Sequence, residues 1–192
     1  MYSWGYDLAA GTTLPSIITP AEFATLTQGR MSSTTEQVQA MLDAVSGAVR
    51  GYCGWHVTPA LPCVWVGDAP DGICHVPAMG VSSVTSVTVD GVELATSAYE
   101  WSRSGLVRLR SRAPRWGGVT VEFTAGYEDA DDLGGVVAQI TANALAASPG
   151  VREEHAGQVG ITYNQTANGV SGGVRLLDSD RMLLDRWRIR RI

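Results

Sequence analysis

The chain has 192 residues, of which 45% are hydrophobic, and this composition is typical of a globular protein with a packed core. Fourteen basic residues, all arginine, stand against 19 acidic residues and give a net charge of -5, which disfavours a general nucleic-acid binder because binding must neutralise phosphates. We expect no membrane span and no secretion signal, since the chain lacks a run of about 18 apolar residues and a basic N-terminal region.

The N-terminal region contains an arm and a first helix. Residues 1–18 mix glycine, proline and aromatic residues without a period, so we expect an extended or loosely packed arm. Thr19 and Glu22 form a capping-box pattern around a proline at the first helical position. This pattern predicts a short helix that ends at Gly29.

A longer helix follows and has the strongest helical pattern in the chain. Ser33 or Thr34 can cap its start, and Gly51 and Gly54 mark its end. Its apolar residues recur at spacings of three and four, which predicts one buried stripe. The stripe consists of Val38, Met41, Leu42, Val45, Val49 and Tyr52.

The central region, residues 62–125, changes to a period of two and predicts five or six short strands. Asp90-Gly91 lies between two apolar runs and is typical of a two-residue hairpin turn. Ser104-Gly105 predicts a second hairpin. Hairpin connections of this kind indicate an antiparallel sheet or a small barrel.

A third helix and a strand come after the central region. The helix begins in an acidic cluster, and its buried side is predicted to consist of Val137, Ile140, Ala144 and Leu145. Val159, Ile161 and Tyr163 alternate with small residues and predict a strand. From His155 to Val174 there is no Asp, Glu or Arg, and frequent glycines predict a flexible linker.

These elements predict an α+β protein: a small α-helical bundle with an inserted antiparallel β-domain, either a sheet or a small barrel, and an extended C-terminal arm. The predicted organisation is an arm (1–18), a helical core (19–61 and 126–150), the β-domain (62–125), a strand with linker (151–174) and a C-terminal docking helix (175–192).

The residue types that carry catalysis or bind metals form no recognisable motif. Zinc-competent residues are present, namely Cys53, His56, Cys63, Cys74 and His75, but their spacing favours reduced thiols and ordinary histidines. The acidic run from Glu128 to Asp132 either binds a cation or, as we favour, is a solvated helix start. We therefore expect no enzyme, no cofactor and no metal.

Three arginines, Arg108, Arg110 and Arg112, alternate with other residues, so a strand would place all three on one face. Such a face can contact a nucleic-acid backbone, or it can face solvent or a subunit and pair with acidic neighbours. We favour the second interpretation.

The C-terminal stretch from Arg175 carries six arginines against three aspartates. Leu183, Leu184 and Trp187 are predicted to share a helical face, with Arg188, Arg190 and Arg191 at its end. A short helix behind a linker is not stable alone, so it packs on its own domain or on another chain. Tryptophan and arginine are enriched in binding hot spots. We expect a partner-binding tail whose deletion leaves the rest folded.

Several segments together resemble the head–tail connector (adaptor) proteins of long-tailed bacteriophages, especially longer versions from phages of actinobacteria. They include "ITPAEFATL", "AVRGYCGWHVTP", "VTSVTVDGVEL", "VTVEFTAGYEDADDLGGVVAQITANALA", "EEHAGQVGITYN" and "LLDSDRMLLDRWR", in family order from about Ile18 to Arg188. The longer linker "NQTANGVSGGVR" departs from the family pattern.

The resemblance implies a structural virion protein without an active site. Copies of such a protein form a ring, usually of twelve, that binds the portal at the capsid vertex. The ring extends the DNA channel, through which genomic DNA passes without sequence-specific binding, and offers a surface for the next stopper, neck or tail protein. It implies a place in the virion neck after assembly in the host cytoplasm, and portal or subunit contacts through the C-terminal residues named above.

Other functions are also compatible with the sequence. A stopper or tail-completion protein is the nearest alternative, although a stopper would be expected to be mostly β. A DNA-binding accessory protein is a further alternative and predicts salt-sensitive duplex binding.

Overall fold

The computed structural model describes residues 4–30, 34–110, 116–128, 130–146, 153–156, 159–162, 174 and 176–189. Within these ranges the chain forms four α-helices and ten β-strands, which confirms the α+β class with an inserted β region. The helices are α1 (Pro20–Leu26), α2 (Thr35–Cys53), α3 (Asp131–Ala146) and α4 (Asp178–Leu184). The strands are β1 (Asp7–Leu8), β2 (Leu61–Gly67), β3 (Ile73–His75), β4 (Val81–Val89), β5 (Val92–Glu93), β6 (Tyr99–Trp101), β7 (Leu106–Leu109), β8 (Val119–Ala125), β9 (Glu153–Ala156) and β10 (Val159–Thr162).

The chain divides into two compact units. A β unit consists of the described parts of Met1–Leu14, Cys53–Ala130 and Trp187–Ile192, and a helical unit consists of those of Pro15–Tyr52 and Asp131–Arg186. Compared with the predicted boundaries, the β unit gains the N-terminal residues, the segment after α2 and the end of the chain. Non-local pairing, which leaves no period in the sequence, joins the N-terminal residues to β2 and the end of the chain to Cys53 and Trp55.

Two antiparallel sheets build the β unit. The larger has the order β1-β2-β8-β4-β5 and the smaller the order β3-β7-β6, and the described strands do not close into a barrel. Side chains of β8 alternate between a buried and a more exposed face, as expected for a sheet packed on one side. Its four buried residues are Val119, Val121, Phe123 and Ala125.

Both predicted hairpins are present. Val89 pairs with Val92 across a two-residue turn, in which Asp90 and Gly91 have φ values of 51° and 82°. Two positive φ angles define the type I′ turn, whose twist matches that of the flanking strands. Around the second turn, β6 pairs with β7 in antiparallel register.

The N-terminal residues are not a free arm. Trp4 and Tyr6 are buried, and β1 pairs with β2. The Tyr6 hydroxyl lies 2.5 Å from Nδ1 of His56, and His56 Nε2 lies 2.8 Å from the Ala125 carbonyl. Because a carbonyl only accepts, Nε2 carries a proton and donates to Ala125, and Nδ1 shares a hydrogen bond with the Tyr6 hydroxyl. This hydrogen-bonded chain satisfies a fully buried histidine and fixes the N-terminal segment to the β unit.

Gly126, which follows β8, is required by its surroundings. Its φ is 119°, and a Cβ atom there would lie 2.4 Å from the Pro59 carbonyl oxygen and 2.8 Å from His56 Nε2. Any side chain would clash with backbone, so only glycine allows β8 to pass this closely beside the segment that follows α2.

Local sequence signals define the helical unit well. The Thr19–Glu22 capping box is present at α1, and its hydrogen bonds lower the pKa of Glu22. Thr34 caps α2 by a reciprocal pair of bonds with Gln37. The predicted α2 stripe is buried at four positions and half-buried at Met41 and Tyr52. On α3, Val137 and Ile140 are buried, whereas Ala144 and Leu145 are half-buried.

Candidate partner-binding surface

The C-terminal helix α4 is anchored within the helical unit. Its start is capped by Asp180, whose carboxylate accepts from the Leu177 backbone N–H at 2.9 Å. Beyond its end, the Tyr52 hydroxyl donates to Asp185 at 2.6 Å, and Arg186 donates to Asp132 on α3 at 2.8 Å. These bonds tie the C-terminal residues to α2 and α3 and give the short helix the tertiary support that it lacks in isolation.

The next residues belong to the β unit and are anchored there. The Trp55 indole N–H donates to the Trp187 carbonyl oxygen at 2.6 Å, and the Ile189 N–H donates to the Cys53 carbonyl oxygen at 2.9 Å. The Trp187 ring meets Tyr127 edge-on, with centroids 5.2 Å apart. Such edge-to-face pairs add about 0.5–1.5 kcal/mol to the free energy gained by burial. Trp187 therefore takes part in an aromatic cluster of its own chain.

The six residues predicted to bind a partner fall into three groups. Leu184 is fully buried and Trp187 is half-buried, whereas Leu183 and Arg188 are exposed. Arg190 and Arg191 lie outside the described residues. Leu183 and Leu184 do not share a face, because successive residues of a helix point about 100° apart.

Met182 is the residue that sequence reasoning missed. Its side chain is 77% exposed and that of Leu183 is 53% exposed. The pair forms an apolar surface on α4, and Leu177 before the helix is 41% exposed. The sequence could have predicted this exposure once Leu184 is taken as the buried residue of the helix. Met182 lies two positions from Leu184 and therefore on a different face.

Arg108 on β7 and Arg110 just after this strand are both exposed. Arg108 stands opposite Glu100 in the register, and Arg110 forms an ion pair with Glu100 at 2.5 Å. Both partners of the pair are more than half exposed, so it contributes about 0–1 kcal/mol to stability. For Arg110 this is an acidic pairing of the kind expected from the sequence, and a subunit-facing role for the three arginines stays a prediction. Arg112 lies outside the described residues.

All three cysteines of the chain lie among the described residues. Cys53, Cys63 and Cys74 are buried free thiols, and burial raises the pKa of Cys63 to about 12 and that of Cys74 to about 11. A protonated thiol is a poor nucleophile and a poor metal ligand. In the part of the chain that the structure describes, no three His, Cys, Asp or Glu residues are grouped as a metal site. Of the helices in that part, none is long and apolar enough to cross a membrane.

No protein-family model and no curated protein matches the chain. Solved structures do match over nearly its whole length. A chain described as part of the neck of an empty GTA particle, computed with C6 symmetry, is 18% identical, with a TM-score of 0.59 and coverage of 94% of both chains. One from the neck of a native GTA particle, computed with C12 symmetry, is 15% identical, with a TM-score of 0.57 and coverage of 97% of this chain and 96% of that one.

A third match comes from the virion of a native gene transfer agent (GTA) particle. It is 16% identical, with a TM-score of 0.61 and coverage of 96% of both chains. At these identities the likeness establishes a shared fold.

Proposed function

We propose that this chain is a structural subunit of the neck of a phage-like particle, and more specifically a head–tail adaptor. In this role, copies form a ring, twelve by analogy, that binds the portal, extends the DNA channel and presents a surface to the next neck or tail protein. The observation that carries the proposal is the shared fold over 94–97% of the chain with chains from gene transfer agent necks. A match of this extent includes both units and leaves little of the chain for a separate function.

The symmetry of the neighbours supports ring assembly. The particle necks in which they occur were computed with C6 and C12 symmetry, and a closed ring requires head-to-tail contacts between copies. The net charge of -5 supports passage of DNA, because a strongly basic channel would hold phosphates. A virion location and a structural rather than enzymatic role follow from the same proposal.

Within this role, we assign the portal or subunit contact of the C-terminal region to its exposed residues. Met182 and Leu183 are exposed on α4 of the helical unit, where Leu184 is buried, and Arg188 is exposed in the β unit, where Trp187 positions the segment. Repetition around a ring multiplies a modest contact into strong attachment. Arg190 and Arg191, which follow directly in sequence, extend the positive charge of the proposed contact.

The test is portal binding by a Met182→Ser/Leu183→Ser variant. Loss of two exposed apolar side chains from the centre of a contact is expected to weaken binding by about tenfold to a hundredfold. The measurement is co-sedimentation with the portal protein of the same particle. Leu26→Ser is the matched control, because Leu26 is 52% exposed on a different helix and is expected to leave binding unchanged.

Three outcomes would revise the proposal. Wild-type affinity in the double variant would show that α4 does not contact the portal. Wild-type protein that does not bind the portal protein but binds the end of the tail would instead indicate a tail-completion protein. Tight, salt-sensitive duplex binding would favour the DNA-binding alternative.

A further inference from the structure

The large sheet (β1-β2-β8-β4-β5) has one buried face and one outer face, and the strand register shows which residues share the outer one. Glu122 on β8 lies opposite Val64 on β2 and Ser86 on β4. Asp7 on β1 in turn lies opposite Val64. Residues in register point to the same side of a sheet, so these four side chains form one row across four strands.

Two further rows complete this outer face. One runs from Pro62 across β8 to β4, and the other runs from Val66 across β8 and β4 to Glu93. The three rows consist of described residues only; none of these residues is buried, three are carboxylates and none is basic. The turn between β6 and β7 places Arg103 beside Val81, at the end of β4 away from Glu93. The outer face of the large sheet is therefore acidic.

This outer face can receive another sheet. Apart from Glu93 and Glu122, its side chains are those of Ser, Thr, Val, Pro and Asp, which are short. Stacked sheets pack about 10 Å apart, a distance that short side chains allow. Val66 is exposed and Val64 is half-buried, so a second sheet placed over this face would remove apolar surface from water.

The outer face of the small sheet (β3-β7-β6) carries the opposite charge. Arg108 lies opposite Glu100 on β6 and Ile73 on β3, and it alternates with buried neighbours along β7. Arg110 forms an ion pair with the same Glu100. Two guanidinium groups thus share one carboxylate, and the face keeps a positive charge. Leu106, two residues before Arg108, adds an exposed apolar side chain to it.

The charges select a pairing of unlike faces. Two large-sheet outer faces would bring carboxylates together, and two small-sheet outer faces would bring arginines together, whereas one face of each kind pairs opposite charges. A surface that fits the acidic face is therefore present on every other copy of this chain. Both faces belong to the β unit, so each copy presents one of each.

We propose that the outer face of the large sheet of one copy stacks on the outer face of the small sheet of the next copy. The carboxylates of the large sheet then face the guanidinium groups of Arg108 and Arg110. Because the two faces differ, the contact is head-to-tail and can repeat until a ring closes. The proposal rests on the proposed function for ring assembly and names the surfaces that join neighbouring subunits.

The test is a charge exchange between two single variants, each assayed by sedimentation velocity alone and with the portal protein of the same particle. Glu122→Arg and Arg108→Glu each place like charges in the contact. Each alone is expected to assemble about tenfold to a hundredfold more weakly than wild type. An equal mixture is expected to assemble like wild type, because every contact between unlike variants again pairs opposite charges.

Matched controls make the same charge changes away from the two faces. Glu128→Arg changes an exposed carboxylate after β8, and Arg30→Glu changes an exposed arginine after α1. Both are expected to assemble like wild type. This result would exclude an effect of net charge alone.

A cross-link provides a second measurement and leaves the charges of Glu122 and Arg108 in place. Ser86→Cys lies beside Glu122 on the large sheet, and His75→Cys is exposed beside Leu106 on the small sheet. A bis-maleimide is expected to join the two chains only in their mixture. The three native thiols are buried, which keeps background cross-linking low.

The outcomes distinguish this contact from the proposed function. Normal assembly of Glu122→Arg and Arg108→Glu with portal, without a cross-link between positions 86 and 75, would overturn the contact and leave the ring intact. Weak assembly that the mixture does not restore, again without the cross-link, would also overturn the contact. A specific cross-link in open filaments that never close would support the contact and overturn the adaptor ring. Wild-type protein that stays monomeric with portal and gives no cross-link would overturn both.

Discussion

Two short stretches of this chain look alike in sequence and differ in structure. "PRWGG" contains Trp116, and "DRWRI" contains Trp187. Trp187 accepts a hydrogen bond from Trp55 through its carbonyl and packs against Tyr127, whereas Trp116 is almost fully exposed. An arginine–tryptophan pair therefore does not reveal whether the ring stabilises its own chain or is available to another.

The difference has a physical cause. Trp187 is followed by a backbone N–H that bonds to Cys53, so its segment is held against other parts of the β unit. Trp116 lies in a turn whose anchors are the backbone N–H groups at 117 and 90. Both segments are therefore anchored through backbone atoms, and the difference lies in the rings: the Trp187 ring packs against Tyr127, whereas the Trp116 ring is almost fully exposed.

The largest expected effect comes from the leucine pair of α4. Leu184→Ala removes a fully buried side chain, so the free energy of unfolding should fall by about 2–5 kcal/mol. Leu183→Ala, its matched control one residue earlier, should change it by no more than about 0.5 kcal/mol. Urea denaturation measures both. Equal effects would contradict the division of α4 into a buried and an exposed side.

The same packing leads us to expect that deletion of residues 175–192 destabilises the protein, contrary to the expectation from sequence.

The two tryptophans provide the next test. Trp187→Ala loses an aromatic contact and partial burial, and we expect a loss of about 2 kcal/mol in the free energy of unfolding. Trp116→Ala should change it by less than about 0.5 kcal/mol, because the ring has little to lose. Thermal or urea unfolding followed by circular dichroism measures the difference. A destabilising Trp116→Ala would show that the ring packs within its own chain.

The smallest effect concerns the anchor of the Trp116 turn. Asp68→Ala removes the acceptor of the Gly117 N–H, and we expect a loss of about 1 kcal/mol in stability with faster amide exchange at Gly117. Asp68→Asn keeps an acceptor oxygen and should lie between this variant and wild type. Hydrogen exchange at Gly117 is the direct measurement. Unchanged exchange in both variants would mean that the carboxylate does not hold the turn.

Much of the fold could be predicted because its signals are local. The Thr19 capping box, the α2 stripe and the Asp90-Gly91 turn each depend on residues within a few positions of one another, and all three are present. The role of the N-terminal residues could not be predicted, since Tyr6 meets His56, 50 residues away. Pairing over such a distance leaves no trace in a local pattern.

The candidate site shows the same limit. Sequence indicated that the C-terminal stretch docks through leucine and tryptophan, but not which of them face their own chain. Burial of Leu184 and exposure of Met182 depend on the elements that surround α4, and composition does not encode that choice. The helical unit also has a groove lined by Phe23 and Val38 that local patterns do not predict, because it forms only where α1 and α2 come together.

The sequence by itself determined the helices, the hairpins and the α+β class, because caps, turns and periodicity act between near neighbours along the chain. Tertiary structure alone decided that residues 4–8 complete the β unit. It also decided that Trp187 packs against its own chain while Trp116 is exposed. Whether a side chain is buried depends on what packs over it, and for these residues the packing partners lie tens of residues away.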